Sequence, residues 1–105
     1  MTEKKTPTHD LQAIRAKFSK IEDLNVTTAA LKTATELGFD AQGIVDVIQR
    51  IEARDFFKSM TSYADSKVWQ DVYYVPHEVS SLYVKFTSDV VTDFKLLSFK
   101  ENTND

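Results

Sequence analysis

The sequence predicts an α+β fold in which N-terminal helices pack on one face of a C-terminal antiparallel β-sheet. Three observations predict it. Apolar residues recur at helical spacing as far as Ile51, the period switches to alternation after Arg54, and the alternation runs on to Lys100. Helices first and strands afterwards make a layered α+β arrangement rather than alternating βαβ units. The sheet face away from the helices is left for a ligand.

Taken in order, residues 1–8 (MTEKKTPT) are polar and expected to be loose, with Pro7 available to start a helix. From His9 to Lys20, Leu11, Ile14 and Phe18 form one apolar stripe. Asn25-Val26 reads as a short extended link. Thr27 or Thr28 can cap a second helix through Leu37, with Ala30, Leu31, Ala34 and Leu37 as its buried side. Gly38 ends that helix as a left-handed C-cap. Asp40 caps a third, where Ile44, Val47, Ile48 and Ile51 repeat at three and four. Gly43 inside it costs about 1 kcal/mol relative to Ala and points to close packing.

The stretch Asp55 to Pro76 (DFFKSMTSYADSKVWQDVYYVP) holds the only Trp and is rich in aromatic and β-branched residues. Such residues suit a pleated, half-buried surface, so it reads as two strands joined at residues 64–67. A third strand covers Ser80 to Thr87. Leu82, Val84 and Phe86 point to the helices; Tyr83 and Lys85 point to the open face. A loop from Ser88 to Thr92 leads to a fourth strand, Asp93 to Lys100, and residues 101–105 form a loose tail. By the same alternation Lys58 shares a face with Phe56 and Met60, and Gln70 with Val68 and Val72.

A chain of 105 residues with 42% hydrophobic content suits one compact domain spanning 1–105. No apolar run approaches the ~20 residues of a membrane span. The absence of Cys fits a reducing compartment, and the cytoplasm is the expected location. Net charge is −3, whereas nucleic-acid binders usually carry excess Lys and Arg. The deficit lies outside the predicted sheet, because residues 56–100 hold five Lys against five acids. Two Gly residues cannot build a phosphate-cradling loop, and two distant His without Cys offer no zinc ligand set.

The segment KSMTSYADSKVWQDVY, Lys58 to Tyr73, resembles the signature of the MqsR toxins, RelE-like mRNA interferases of bacterial toxin–antitoxin pairs. The likeness extends to Thr6-Pro7, to AL…ELGFD (Ala30 to Asp40), to LYVK (Leu82 to Lys85) and to SFKE (Ser98 to Glu101). The resemblance implies a RelE-like fold and a sequence-specific endoribonuclease that inhibits translation and growth, without a cofactor or metal. It implies a histidine-free site with Lys58, Gln70 and Tyr83 as catalytic positions, and Met60, Tyr73 and Lys85 as substrate-binding ones. It also implies two partners: mRNA, free or on the ribosome, and an MqsA-type antitoxin through which any contact with DNA would be indirect. Two positions depart from the family pattern: Phe57 stands where a Tyr is common, and Tyr74 where an Arg is found.

Cleavage by an internal 2′-OH needs a base for that proton, an acid for the 5′-oxygen and stabilisation of charge on phosphorus. Lys58 can hold the phosphorane charge, and Gln70 can orient phosphate or sugar. Tyr83 is the expected proton-transfer group, if the charge of Lys85 lowers its pKa from ~10. An exposed strand Lys is otherwise solvation and edge protection, and a strand Tyr or Trp is ordinarily packing. The competing reading is a non-catalytic module that binds its antitoxin or another protein on the same fold.

Overall fold

The computed structural model describes residues 2–89 and 93–103. Three α-helices, α1 (Leu11–Lys17), α2 (Thr28–Glu36) and α3 (Ala41–Gln49), precede most of a five-stranded sheet. Its strands are β1 (Glu3–Lys4), β2 (Phe56–Thr61), β3 (Trp69–His77), β4 (Ser80–Asp89) and β5 (Asp93–Glu101). They lie in the order β1-β2-β3-β4-β5, every neighbouring pair antiparallel. The α+β class predicted from the change of period is borne out.

Local chemistry sets the helix ends. Asp10, Thr27 and Asp40 cap α1, α2 and α3 by accepting the backbone N–H of Gln12, Ala30 and Gly43. Gly38 has φ of +92°, the left-handed conformation that closes α2. A Cβ on Gly43 would stand 3.2 Å from both Asp40 Oδ1 and Phe39 Cδ1, the tight packing expected there. The expected α1 stripe holds, with Ile14 and Phe18 fully buried, although the helix stops at Lys17.

The core lies between the helices and one sheet face. Ile14, Ile44, Val47, Ile48 and Ile51 meet Tyr73, Val75, Leu82, Val84, Phe86, Leu96 and Phe99. The expected inward set of the third strand is therefore correct. Helix α2 differs from expectation, because it buries the small Ala30 and Ala34 while Leu31 and Leu37 are 43% and 39% exposed. Small side chains bring its backbone close to β5, where Thr33 Oγ1 donates to the Phe99 carbonyl at 2.6 Å. Beside it, Val26 forms a parallel bridge to Leu96 and covers part of that edge.

The two ends of the chain depart from the expected loose segments. Glu3 and Lys4 pair with Met60 and Ser59 as an edge strand, and β5 runs through Glu101, after which Asn102 N donates to Ser81 O. The buried carboxylate of Asp71 draws the N-terminal segment in, accepting the backbone N–H of Thr8 and His9 and the hydroxyl of Ser59. The expected 88–92 connection and the end of the tail fall partly on residues 90–92 and 104–105, outside the described residues.

Candidate active site

The face turned away from the helices carries its side chains in rows across the strands, because residues directly opposite each other share a face, and three of those rows make the site. One row is Tyr74, Tyr83 and Lys100; the next is Lys58, Val72, Lys85 and Ser98; the third is Glu3, Met60, Gln70, Thr87 and Lys95. Within a row, neighbours stand about 5 Å apart at Cα, and successive rows are about 7 Å apart. The expected residues Lys58, Gln70, Tyr83, Lys85 and Met60 therefore lie together on one open face.

A β-bulge between Phe56 and Lys58 shapes this face. Phe56 packs toward the core against Tyr73, whereas Phe57 and Lys58 both serve the open side. The expected sharing of a face by Phe56 and Lys58 is thus corrected. The bulge inserts an extra residue, which allows an aromatic ring to stand beside a cation. Phe57 stacks on Tyr74 at 4.2 Å and 13°, and Tyr74 meets Tyr83 at 6.0 Å. Cations close this aromatic ladder: Lys5 and Lys58 over Phe57, and Lys100 at 5.1 Å over Tyr83. Val72 is fully buried although it faces this side, within a row of long Lys stems able to cover it.

Tyr73 does not join the group. It is 1% exposed, on the core face, with its ring edge-on to Phe56 and Phe86. A substrate-binding role is incompatible with that position, since Tyr73 follows Val72 and so takes the opposite face from Gln70.

The electrostatics also correct an expectation. The Tyr83 phenol is pushed above its ordinary value, first by burial and then by Tyr74 and Glu3, with Lys58 pulling the other way. Partial burial outweighs the neighbouring cations, so Tyr83 keeps its proton at neutral pH and suits the part of an acid. Lys85 is pushed down by burial and by the charges of Lys100 and Lys58. Lys58 itself donates to Glu3 Oε2 at 2.6 Å, and that contact holds the Glu3 carboxyl below its ordinary range.

A model of the family described as motility quorum-sensing regulator, toxin of MqsA, matches residues 6–101. The chain belongs to the MqsR toxin family. The mRNA interferase toxin MqsR of Escherichia coli (strain K12) is 39% identical over 99 residues, covering 94% of this chain and 98% of that protein. The resemblance read from the Lys58 to Tyr73 block is therefore correct.

Two residues beside the MqsR signature escaped the sequence reading. Lys100 lies in the SFKE ending, and its place directly across from Tyr83 follows only from the register of β4 and β5. Glu3 sits on a strand too short to show a period. The two histidines lie elsewhere: His9 contacts the Trp69 carbonyl and Phe94, and His77 contacts Arg50 and Phe39. Among the described residues, no group of three His, Asp or Glu could hold a metal ion.

Proposed function

We propose that this MqsR-family toxin is an endoribonuclease that cleaves mRNA on the open sheet face by attack of the substrate's own 2′-OH. The observation that carries this reading is the convergence of Lys58, Gln70, Tyr83 and Lys85 from three adjacent strands onto one uncovered surface. That grouping holds the parts transesterification needs. Lys58 stabilises the extra negative charge on phosphorus, and Gln70, one row away, orients phosphate or sugar through its amide. Tyr83 gives its proton to the departing 5′-oxygen. Lys85 accepts the 2′-OH proton, its partial burial beside two other lysines favouring the neutral amine. Met60, beside Gln70 and only 7% exposed, underlies the place of the bound nucleotide, and Lys100 guides the phosphate backbone from the Tyr83 end.

Lys5, Lys58 and Lys100 around the site supply local positive charge in a chain whose net charge is −3. Such a patch suits a short stretch of single strand better than tight non-specific binding to a long one. The name of the E. coli relative, mRNA interferase toxin, agrees with this substrate. An MqsA-type antitoxin is the protein partner, contact with DNA runs only through it, and the cytoplasm is the working compartment. Among the described residues, no helix is long and apolar enough to cross a membrane.

The product tests the chemistry. Attack by the 2′-OH leaves a 2′,3′-cyclic phosphate upstream and a free 5′-hydroxyl downstream, and an RNA with a single 2′-deoxy residue at the cleavage position should be inert. Cleavage of that deoxy substrate, or a downstream 5′-phosphate, would refute the mechanism.

A further inference from the structure

Glu3 lies outside the residues matched by the family model, and the roles assigned above leave it without one. Its setting is unusual for a residue so near the start of the chain. The strand that carries it is two residues long, yet it is fastened at both ends. At one end Thr2 N donates to Thr61 Oγ1 and Thr61 N to the Thr2 carbonyl, each at 2.9 Å. At the other, Thr8 Oγ1 and Ser59 Oγ are 2.7 Å apart, and the Thr8 and His9 N–H groups reach the fully buried Asp71 carboxylate. Between these anchors Lys4 lies 4.3 Å over the Trp69 ring, on the covered side, which leaves Glu3 for the open side.

The fastening delivers a carboxylate to one atom, Lys58 Nζ, at 2.6 Å. The pair is partly exposed, 48% for the Glu3 side chain and 20% for Lys58, and pairs of that kind add little to stability. Without Glu3 the Lys58 ammonium keeps its place over the Phe57 ring, 5.5 Å from the centroid, a contact that fixes the direction of none of its donors. Its stem has four rotatable bonds, and Lys85 lies close enough to feel its charge. One of the three ammonium donors goes to Glu3, and two remain for the scissile phosphate.

We infer that Glu3 is a positioning residue, with the N-terminal strand serving to hold the Lys58 ammonium at the place where charge develops on phosphorus. The inference rests on the catalytic reading of Lys58 given above. It predicts a particular kinetic signature. A cation that strays costs transition-state stabilisation more than substrate binding, so the loss falls on kcat.

The test compares Glu3→Gln, Lys58→Ala and the double variant on a short RNA containing one cleavage site, with unfolding curves on the same proteins. Glu3→Gln should keep the wild-type unfolding midpoint and KM while kcat falls tenfold or more, toward the ~100-fold cost of a catalytic group misplaced by about 1 Å. In the Lys58→Ala background the same substitution should leave any residual cleavage unchanged, because Glu3 acts only through Lys58. Unchanged kcat in Glu3→Gln would overturn the inference. So would a lower KM with kcat kept or raised, the mark of a carboxylate that competes with phosphate for Lys58. If Lys58→Ala alone cleaves at the wild-type rate, the catalytic reading itself fails and Glu3 falls with it. A dead Lys58→Ala beside a normal Glu3→Gln refutes the Glu3 role only.

Discussion

Tyr73 and Tyr83 stand on adjacent strands of one sheet and have opposite surroundings. Tyr73 is sealed between Phe56 and Phe86, and burial, aided by the Asp71 charge, drives its phenol up to about 12. Tyr83 is half-buried on the other face, where Lys58 offsets part of the upward push and Lys100 lies over its ring. The difference extends to the two faces as wholes. The covered face is chosen by volume, with Leu82, Val84, Phe86, Leu96 and Phe99 filling the space under the helices. The open face is chosen by charge and hydrogen bonding, with Lys58, Gln70, Tyr83, Lys85 and Lys100 set in rows. Parity along a strand, rather than residue type, decides which tyrosine packs and which can meet a substrate.

Substitutions on the two sides should separate stability from activity. The largest stability effect belongs to Tyr73→Ala, which empties the centre of the covered face and should cost about 3–5 kcal/mol in urea unfolding. A cost under about 1 kcal/mol, the range of well-tolerated changes, would mean that the core does not depend on this ring.

A smaller loss belongs to Asp71, the one fully buried carboxylate among the described residues. Asp71→Ala leaves the N–H groups of Thr8 and His9 and the Ser59 hydroxyl without their acceptor, at about 1–3 kcal/mol. The N-terminal strand should then open, seen as faster hydrogen exchange at the Thr61 amide, which donates to Thr2. Unchanged exchange there would show that β1 holds without Asp71.

The covered face was largely legible in the sequence, because alternation in Leu82 to Phe86 and the helical repeat of Ile44 to Ile51 both report a buried side directly. Helix α2 misled because its buried residues are alanines, whose small size permits close approach while Leu31 and Leu37 stay outside. The open face was legible in part. Strand parity gives Tyr83 and Lys85, and would also have turned Tyr73 away from Gln70. The bulge at Phe57 was not legible, since an inserted residue leaves no mark in composition. Nor was β1, which is made by distant bonds from Asp71 and Thr61 rather than by any propensity of Glu3 and Lys4. The sign of the Tyr83 shift needed the depth of burial, a tertiary quantity that neighbouring residues in the chain do not reveal.

The division of labour between the faces is tested most directly at Lys58, a cation on the open face that contributes no volume to the core. RNA cleavage and urea unfolding of Lys58→Ala, measured on one preparation, put both halves of the claim on the same molecule. Cleavage should disappear while stability stays within about 0.5 kcal/mol of wild type, the range of surface substitutions. A well-folded Lys58→Ala protein that still cleaves RNA, or one that unfolds as readily as a core variant, would contradict the account.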